Sequence, residues 1–177
     1  MKLFLTGYMG SGKTTTGKLL ARELSLPFYD LDEQIEMLEK RSVSEIFQKD
    51  GEEVFRQLES MMLDHFIQNQ EDFVLATGGG TPCFHDNMKK MNRSGITIYL
   101  ECTTESLQSR LVQDSTSRPL LANIPKDNLK MWIHGKLSER NLFYRQAQAT
   151  VNAEQEPEQI ISEIKFKMTQ AGMESSR

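Results

Sequence analysis

The residues from Gly7 to Thr15, GYMGSGKTT, have the types and spacing best suited to chemistry in this chain. Gly7, Gly12, Lys13 and Thr14 satisfy the pattern G-x-x-x-x-G-K-[ST] in full. Glycine at these points lets the backbone curl so that the segment from Gly10 through Ser11, Gly12, Lys13 and Thr14 to Thr15 can present its N–H groups to phosphate oxygens. A helix starting there adds the positive end of its dipole. Lys13 supplies a mobile charge for the β and γ phosphates, and the Thr14 hydroxyl is a hard oxygen ligand suited to Mg²⁺. A Gly-rich turn alone is weak evidence, but here the strand-like KLFLT precedes it and the helix-forming KTTTGKLLARELS follows. Binding of ATP with Mg²⁺ is the expectation.

Two acids in FYDLDEQIE, Asp30 and Asp32, follow the second strand-like run. Taken alone they read as a helix N-cap and a first-turn acid, which is good helix chemistry in its own right. Beside a phosphate-binding loop, at the carboxyl edge of a parallel sheet, they gain further roles. One of them can hold the metal through water while the other accepts a proton from an attacking hydroxyl. A second cluster, VLATGGGTP, puts Gly78, Gly79 and Gly80 at another strand end, where a ligand could lie directly on backbone N–H groups. A plain flexible turn is the alternative. Since this cluster after the third strand stands where many phosphate-loop proteins end a strand in Asp, the metal is expected at Asp30. In DGEEVFRQLES, read as a short helix, Arg56 and Glu59 stand three apart and so share a helix face. They are either a solvated ion pair or a clamp for something anionic.

These residues need a scaffold to bring them together. Strand-like runs at Lys2–Thr6, Pro27–Asp30, Phe73–Ala76, Ile96–Leu100 and Ala149–Val151 alternate with amphipathic helical stretches. That alternation predicts an α/β fold, a parallel sheet flanked by helices in three layers. Ser42 and Glu45 form a capping box ahead of Ile46 and Phe47, and Thr103 can cap the helix that carries Leu107 and Leu111. One segment breaks the rhythm: DSTSRPLLANIPKD, residues 114–127, is polar, holds two prolines and is long for a connection. It reads as a lid, with a disordered insertion as the alternative.

Length and composition limit what else the chain can be. At 177 residues a single domain over 1–177 is expected. With 38% hydrophobic and 26% charged residues, a disordered, fibrous or membrane protein is disfavoured. A net charge of -4 gives no basic footprint for nucleic acid or an acidic lipid surface, so positive charge must act locally. Cys83 and Cys102 lie far apart, as do His65, His85 and His134, so neither a disulfide framework nor a structural metal is expected. The apolar run Leu3–Leu5 is too short for a signal peptide or membrane span. A cytoplasmic location and a monomer are the expectations.

In their order and spacing, GYMGSGKTT, DLD, IFQKDGEEVFRQLE, LATGGG, SRPLL and ERNLFY resemble the shikimate kinase family over nearly the whole chain. Any one of these could occur in another small kinase, whereas the set is specific. The resemblance implies a five-stranded parallel sheet in the nucleoside-monophosphate-kinase manner. The activity it implies is ATP-dependent phosphorylation of the shikimate 3-hydroxyl, a step of aromatic amino acid biosynthesis, with about residues 32–63 binding shikimate. By the same resemblance Arg56 and Arg140 grip the shikimate carboxylate, Glu59 positions Arg56, and Phe47 and Phe55 wall the ring. Asp32 bonds the ring hydroxyls and accepts the proton, and Gly78, Gly79 and Gly80 hold the far side. Arg118, within 114–127, closes over ATP. Arg110 matches an adenine-side arginine or is simply a surface charge on a helix. A gluconate-type kinase would share the loop and lid but have less use for two converging arginines. A nucleotide-sensing module that transfers no phosphate should lack Asp32 or Arg118, and both are present.

Overall fold

The computed structural model describes residues 1–113 and 124–174. Strand β1 (Lys2–Thr6) leads through the Gly-rich loop into α1 (Lys13–Leu24), β2 (Phe28–Asp30) and α2 (Leu31–Glu39). Next come α3 (Val43–Lys49), α4 (Gly51–Asn69), β3 (Phe73–Ala76) and a 3₁₀ turn at Thr81–Cys83. The order closes with α5 (Asn87–Ser94), β4 (Ile96–Glu101), α6 (Thr104–Gln113), α7 (Lys126–Tyr144), β5 (Ala149–Asn152) and α8 (Pro157–Glu174). All five predicted strands form, each with its ends within a residue of expectation. The helix read from Asp50 to Ser60 runs on to Asn69, because Leu63 and Phe66 continue its buried face past the stretch first considered.

The strands make one parallel sheet in the order β2-β3-β1-β4-β5. Register brings the carboxyl ends into line: Leu5 lies opposite both Ala76 and Ile98, and Asp30 opposite Ala76. The Gly-rich loop, Asp30 and the glycine triplet therefore leave the sheet along one edge, where open α/β folds place their ligands.

Alternation along the strands builds a core on each face. Leu3, Leu5, Val74, Ile98 and Leu100 belong to one apolar cluster with Leu107, Ile133 and Ile164 from the helices. Phe4, Phe73 and Leu75 belong to another with Leu31, Ile46, Phe55, Leu63 and Phe66. Successive strand residues point to opposite faces, so a strand buried on both sides reads as an unbroken apolar run. Burial of the second cluster fixes α2, α3 and α4 against the sheet, and with them Asp32, Arg56 and Glu59.

The local signals also form. Ser42 caps α3 by accepting from the Glu45 N–H at 3.2 Å, and the Glu45 carboxylate accepts from the Ser42 N–H at 2.9 Å. The Ser106 N–H donates to the Thr103 hydroxyl at the start of α6 at 3.3 Å. Replacing Ser42 by Ala is expected to lower stability by about 0.5–2 kcal/mol, the usual loss of such a cap, and chemical denaturation measures it.

Candidate active site

No side chain caps the first turn of α1, whose N-cap is Gly12 at φ 90°, in the left-handed region that disfavours other residues. The leading N–H groups of that helix are thus left for an anion, as the motif requires. Lys13 Nζ donates to the carbonyls of Gly7 and Tyr8 at 2.8 and 3.0 Å, which folds it back over the loop. A cavity of about 630 Å³ opens here, lined by the segment from Gly10 to Thr15 and by Asp30, Asp32, Gly78, Gly79 and Arg110.

The Asp30 carboxylate makes two contacts. One carboxylate oxygen accepts from the Asp32 N–H at 3.2 Å and so caps α2. The other accepts from the Thr14 hydroxyl at 2.7 Å. A hydroxyl and a carboxylate side by side at the phosphate loop are the hard oxygen donors that Mg²⁺ takes when phosphates and waters complete its shell. No cluster of three or more His, Cys, Asp or Glu that could hold a metal occurs among the described residues, so an all-protein metal cage is absent there.

Asp32 is different. Although the residue is only half-buried, its Oδ1 is shut off from water and has no hydrogen-bond partner. Burial, followed by the nearby Glu59 and Asp30 charges, pushes its carboxyl from the ordinary 3.8 up to about 7, while Lys13 and Arg56 oppose the rise. A buried polar atom lacking a partner is uncommon and expensive, and it calls for a reason.

The opening ambiguity over Arg56 and Glu59 resolves against a solvated pair. The Arg56 side chain is 7% exposed and that of Glu59 1%, with Arg56 Nη1 donating to Glu59 at 2.6 Å. Thr81 Oγ1 donates to the other Glu59 oxygen. Burial raises the Glu59 carboxyl, against the pull of Arg56, Thr81 and Arg140. Phe47, Phe55 and Phe84 surround the guanidinium at 5.6, 5.5 and 4.7 Å from their ring centres, the spacing of cation–π contacts.

The glycine triplet is where these elements converge. A Cβ on Gly80 would collide with the Arg56 guanidinium, and one on Gly78 with Glu59 and Asp32. A Cβ on Gly79 would stand 3.3 Å from Arg140 Nη1. Arg140 lies over the Tyr8 ring at 5.3 Å, and the Tyr144 hydroxyl donates to the Gly79 carbonyl. Two arginines from α4 and α7 therefore approach successive glycines of one loop. Arg56, Glu59, Arg140, Phe47 and Phe55 do not line the 630 Å³ cavity itself; they stand behind and beside the loop that does. Gly80→Ala is expected to push Arg56 off its station and weaken any carboxylate it holds by about 1–3 kcal/mol, read as a higher KM for that acid.

The family profile described as shikimate kinase matches residues 9–169. The chain belongs to the shikimate kinase family. A shikimate kinase of Bacteroides fragilis is 50% identical over 147 residues, covering 83% of this chain and 82% of that protein. The crystal structure of shikimate kinase from Bacteroides thetaiotaomicron superposes with a TM-score of 0.90 at 39% identity, covering 96% of this chain and 98% of that one. Shikimate kinase from Acinetobacter baumannii, solved in complex with shikimate, gives 0.84 at 31% identity, covering 98% and 93%.

Within this family frame, Arg110 is not a simple surface charge. Its guanidinium donates to the Gly10 carbonyl at 3.2 Å and to the Ala153 carbonyl at 2.9 Å, tying the phosphate loop to the segment after β5. Arg118 and most of the expected lid lie outside the described residues. Glu52, Thr81, Phe84 and Tyr144 are neighbours of the site that sequence reading missed. Only Glu52 left a local signal, four residues before Arg56 on the same helix face.

Proposed function

We propose that this chain transfers the terminal phosphoryl group of ATP to the 3-hydroxyl of shikimate, and that the residues gathered above divide the work. The Gly10–Thr15 segment and Lys13 hold the β and γ phosphates, while Arg110 braces the loop from the nucleotide side. Thr14 and Asp30, the latter through water, would hold Mg²⁺, which when bound neutralises phosphate charge. Arg56 and Arg140 take the shikimate carboxylate, a guanidinium fork fixing both distance and angle through paired charge-assisted hydrogen bonds. Glu59 keeps Arg56 in place, Phe47 and Phe55 flank the ring, and Gly78, Gly79 and Gly80 let the acid approach the loop. Arg118, on the SRPLL motif, completes the charge around the phosphoryl group in flight. The region of about residues 32–63 is thus the acceptor side, within one catalytic domain.

The observation that carries this reading is the buried, unpartnered Oδ1 of Asp32 with a carboxyl pushed up to about 7. A base works best with a pKa near the working pH. A substrate hydroxyl donating to Oδ1 would satisfy the atom and hand over its proton as the phosphoryl group departs from ATP. Because phosphoryl transfer asks for little covalent chemistry, position and charge supply most of the rate.

A coupled assay of ADP release, with ATP, Mg²⁺ and a panel of hydroxy acids that includes shikimate and gluconate, tests the proposal. Shikimate alone should stimulate release well above the background without acceptor. Equal stimulation by gluconate, or none by shikimate, would overturn it.

A further inference from the structure

Arg56 carries one contact more than a substrate clamp requires. Glu52 Oε1 accepts from Arg56 Nε at 3.2 Å and from Nη2 at 2.8 Å, so one carboxylate already sits in the side fork of the guanidinium. Both bonds end on the single oxygen Oε1, whereas an arriving carboxylate could set one oxygen on each N–H of that fork. Glu59 accepts from Nη1, so three of the five guanidinium N–H groups are engaged, two of them by Glu52.

The two carboxylates are held in different ways. Glu59 is 1% exposed and accepts from Thr81 as well, so it is locked. Glu52 is 59% exposed, and among the described residues its carboxylate pairs with Arg56 alone. It stands on the first turn of α4, just after Gly51, around which a Cβ would meet nothing within 4 Å. Rotation of the Glu52 side chain into solvent would break its bonds to Arg56 and no other hydrogen bond or ion pair among the described residues. Charge points the same way: Arg56 and Glu59 cancel, Glu52 adds a negative charge, and an arriving anion would meet it at the guanidinium.

We propose that Glu52 is a displaceable stand-in for the substrate's carboxylate, a gate that fills the Arg56 fork in the empty enzyme and swings out when the acid binds. The exchange swaps one carboxylate for another on the Nε side of a buried cation, while Glu59 stays on Nη1. It also disfavours weak or uncharged ligands, which cannot repay the lost ion pair. The idea rests on the reading of Arg56 as the clamp for the shikimate carboxylate.

The test compares KM for shikimate in the parent enzyme, Glu52→Gln, Glu52→Ala and Arg56→Lys, together with the KM of shikimate methyl ester. Removing the competitor should lower KM for shikimate by roughly 2–5-fold in both Glu52 variants, the scale of an exposed ion pair. For the ester, which must also empty the fork but brings no anion to refill it, KM should fall at least as far. An unchanged or higher KM for shikimate in both Glu52 variants, with Arg56→Lys raising it, would show that Glu52 merely steadies Arg56 and would overturn the gate alone. Should Arg56→Lys leave KM unchanged, the clamp reading fails and the gate fails with it. A fall for the acid with none for the ester would also overturn the gate, since simple relief of charge repulsion would produce it.

Discussion

Asp32→Asn is expected to bind ATP normally and to lose turnover by roughly 10²–10⁴-fold, the usual share of a positioned base. Isothermal titration with an ATP analogue and single-turnover kinetics separate the two effects. The amide keeps the shape of the side chain and its packing near Gly78 but cannot take a proton. Persistence of near-parental turnover would remove Asp32 from the chemistry. The same carboxyl predicts a pH profile. With its pKa at about 7 in the free protein, log kcat/KM for the parent should fall below neutrality as Asp32 is protonated, and that limb should vanish in the variant.

Stability should move in the opposite direction. Because the folded pKa of Asp32 lies above the ordinary 3.8, the folded state holds this proton more tightly than the unfolded chain does. The contribution is therefore fully present below the unfolded value and lost as pH climbs through about 7. At pH 8 an ionised Asp32 opposes folding, and Asp32→Asn should be more stable than the parent by about 1–3 kcal/mol, a shift of a few pKa units discounted for its coupling to Glu59 and Asp30. Equilibrium denaturation at pH 5 and pH 8 should show the gain growing with pH.

Arg56→Ala should weaken shikimate binding by roughly 2–5 kcal/mol, as when one partner of a buried charged pair is removed. The loss has two sources. The substrate's carboxylate forfeits its fork, and Glu59 is left buried without its nearest cation. The second source acts on the fold as well, by about 3–5 kcal/mol for a stranded buried charge. Pairing Arg56→Ala with Glu59→Gln separates them: the double variant should regain much of the stability and none of the shikimate affinity. If it binds shikimate as the parent does, Arg56 is no clamp.

What could be read from sequence depended on how far apart the partners stand. The phosphate loop was legible because its nine residues, Gly7 to Thr15, are contiguous and its strand and helix adjoin it. Arg56 and Glu59 were legible as neighbours because helix geometry makes them so, but the burial of Arg56 involves Phe47, Phe55 and Phe84 around its guanidinium. Spacing within one helix cannot reveal that. The glycine triplet was read as room for a ligand. Side chains of the protein itself claim much of that room, since Arg56, Glu59, Asp32 and Arg140 all press on the glycines. Thr81 and Tyr144 went unnoticed because their partners, Glu59 and Gly79, lie far away in sequence. The length of α4 was missed for a simpler reason: its later apolar residues were not counted with its earlier ones.

The strand order also bears on how the chain comes to fold. The middle strand of the sheet, β1, is made before the other four strands, yet its partners β3 and β4 come much later in the chain. Until Ile96–Glu101 has emerged, the run Leu3–Phe4–Leu5 has an unpaired edge and no apolar cover on that side. Pairings this distant in sequence are slow to close, and exposed edges invite neighbouring chains. Nascent protein should thus be most prone to aggregate before its fourth strand is delivered, and most in need of a chaperone during that interval.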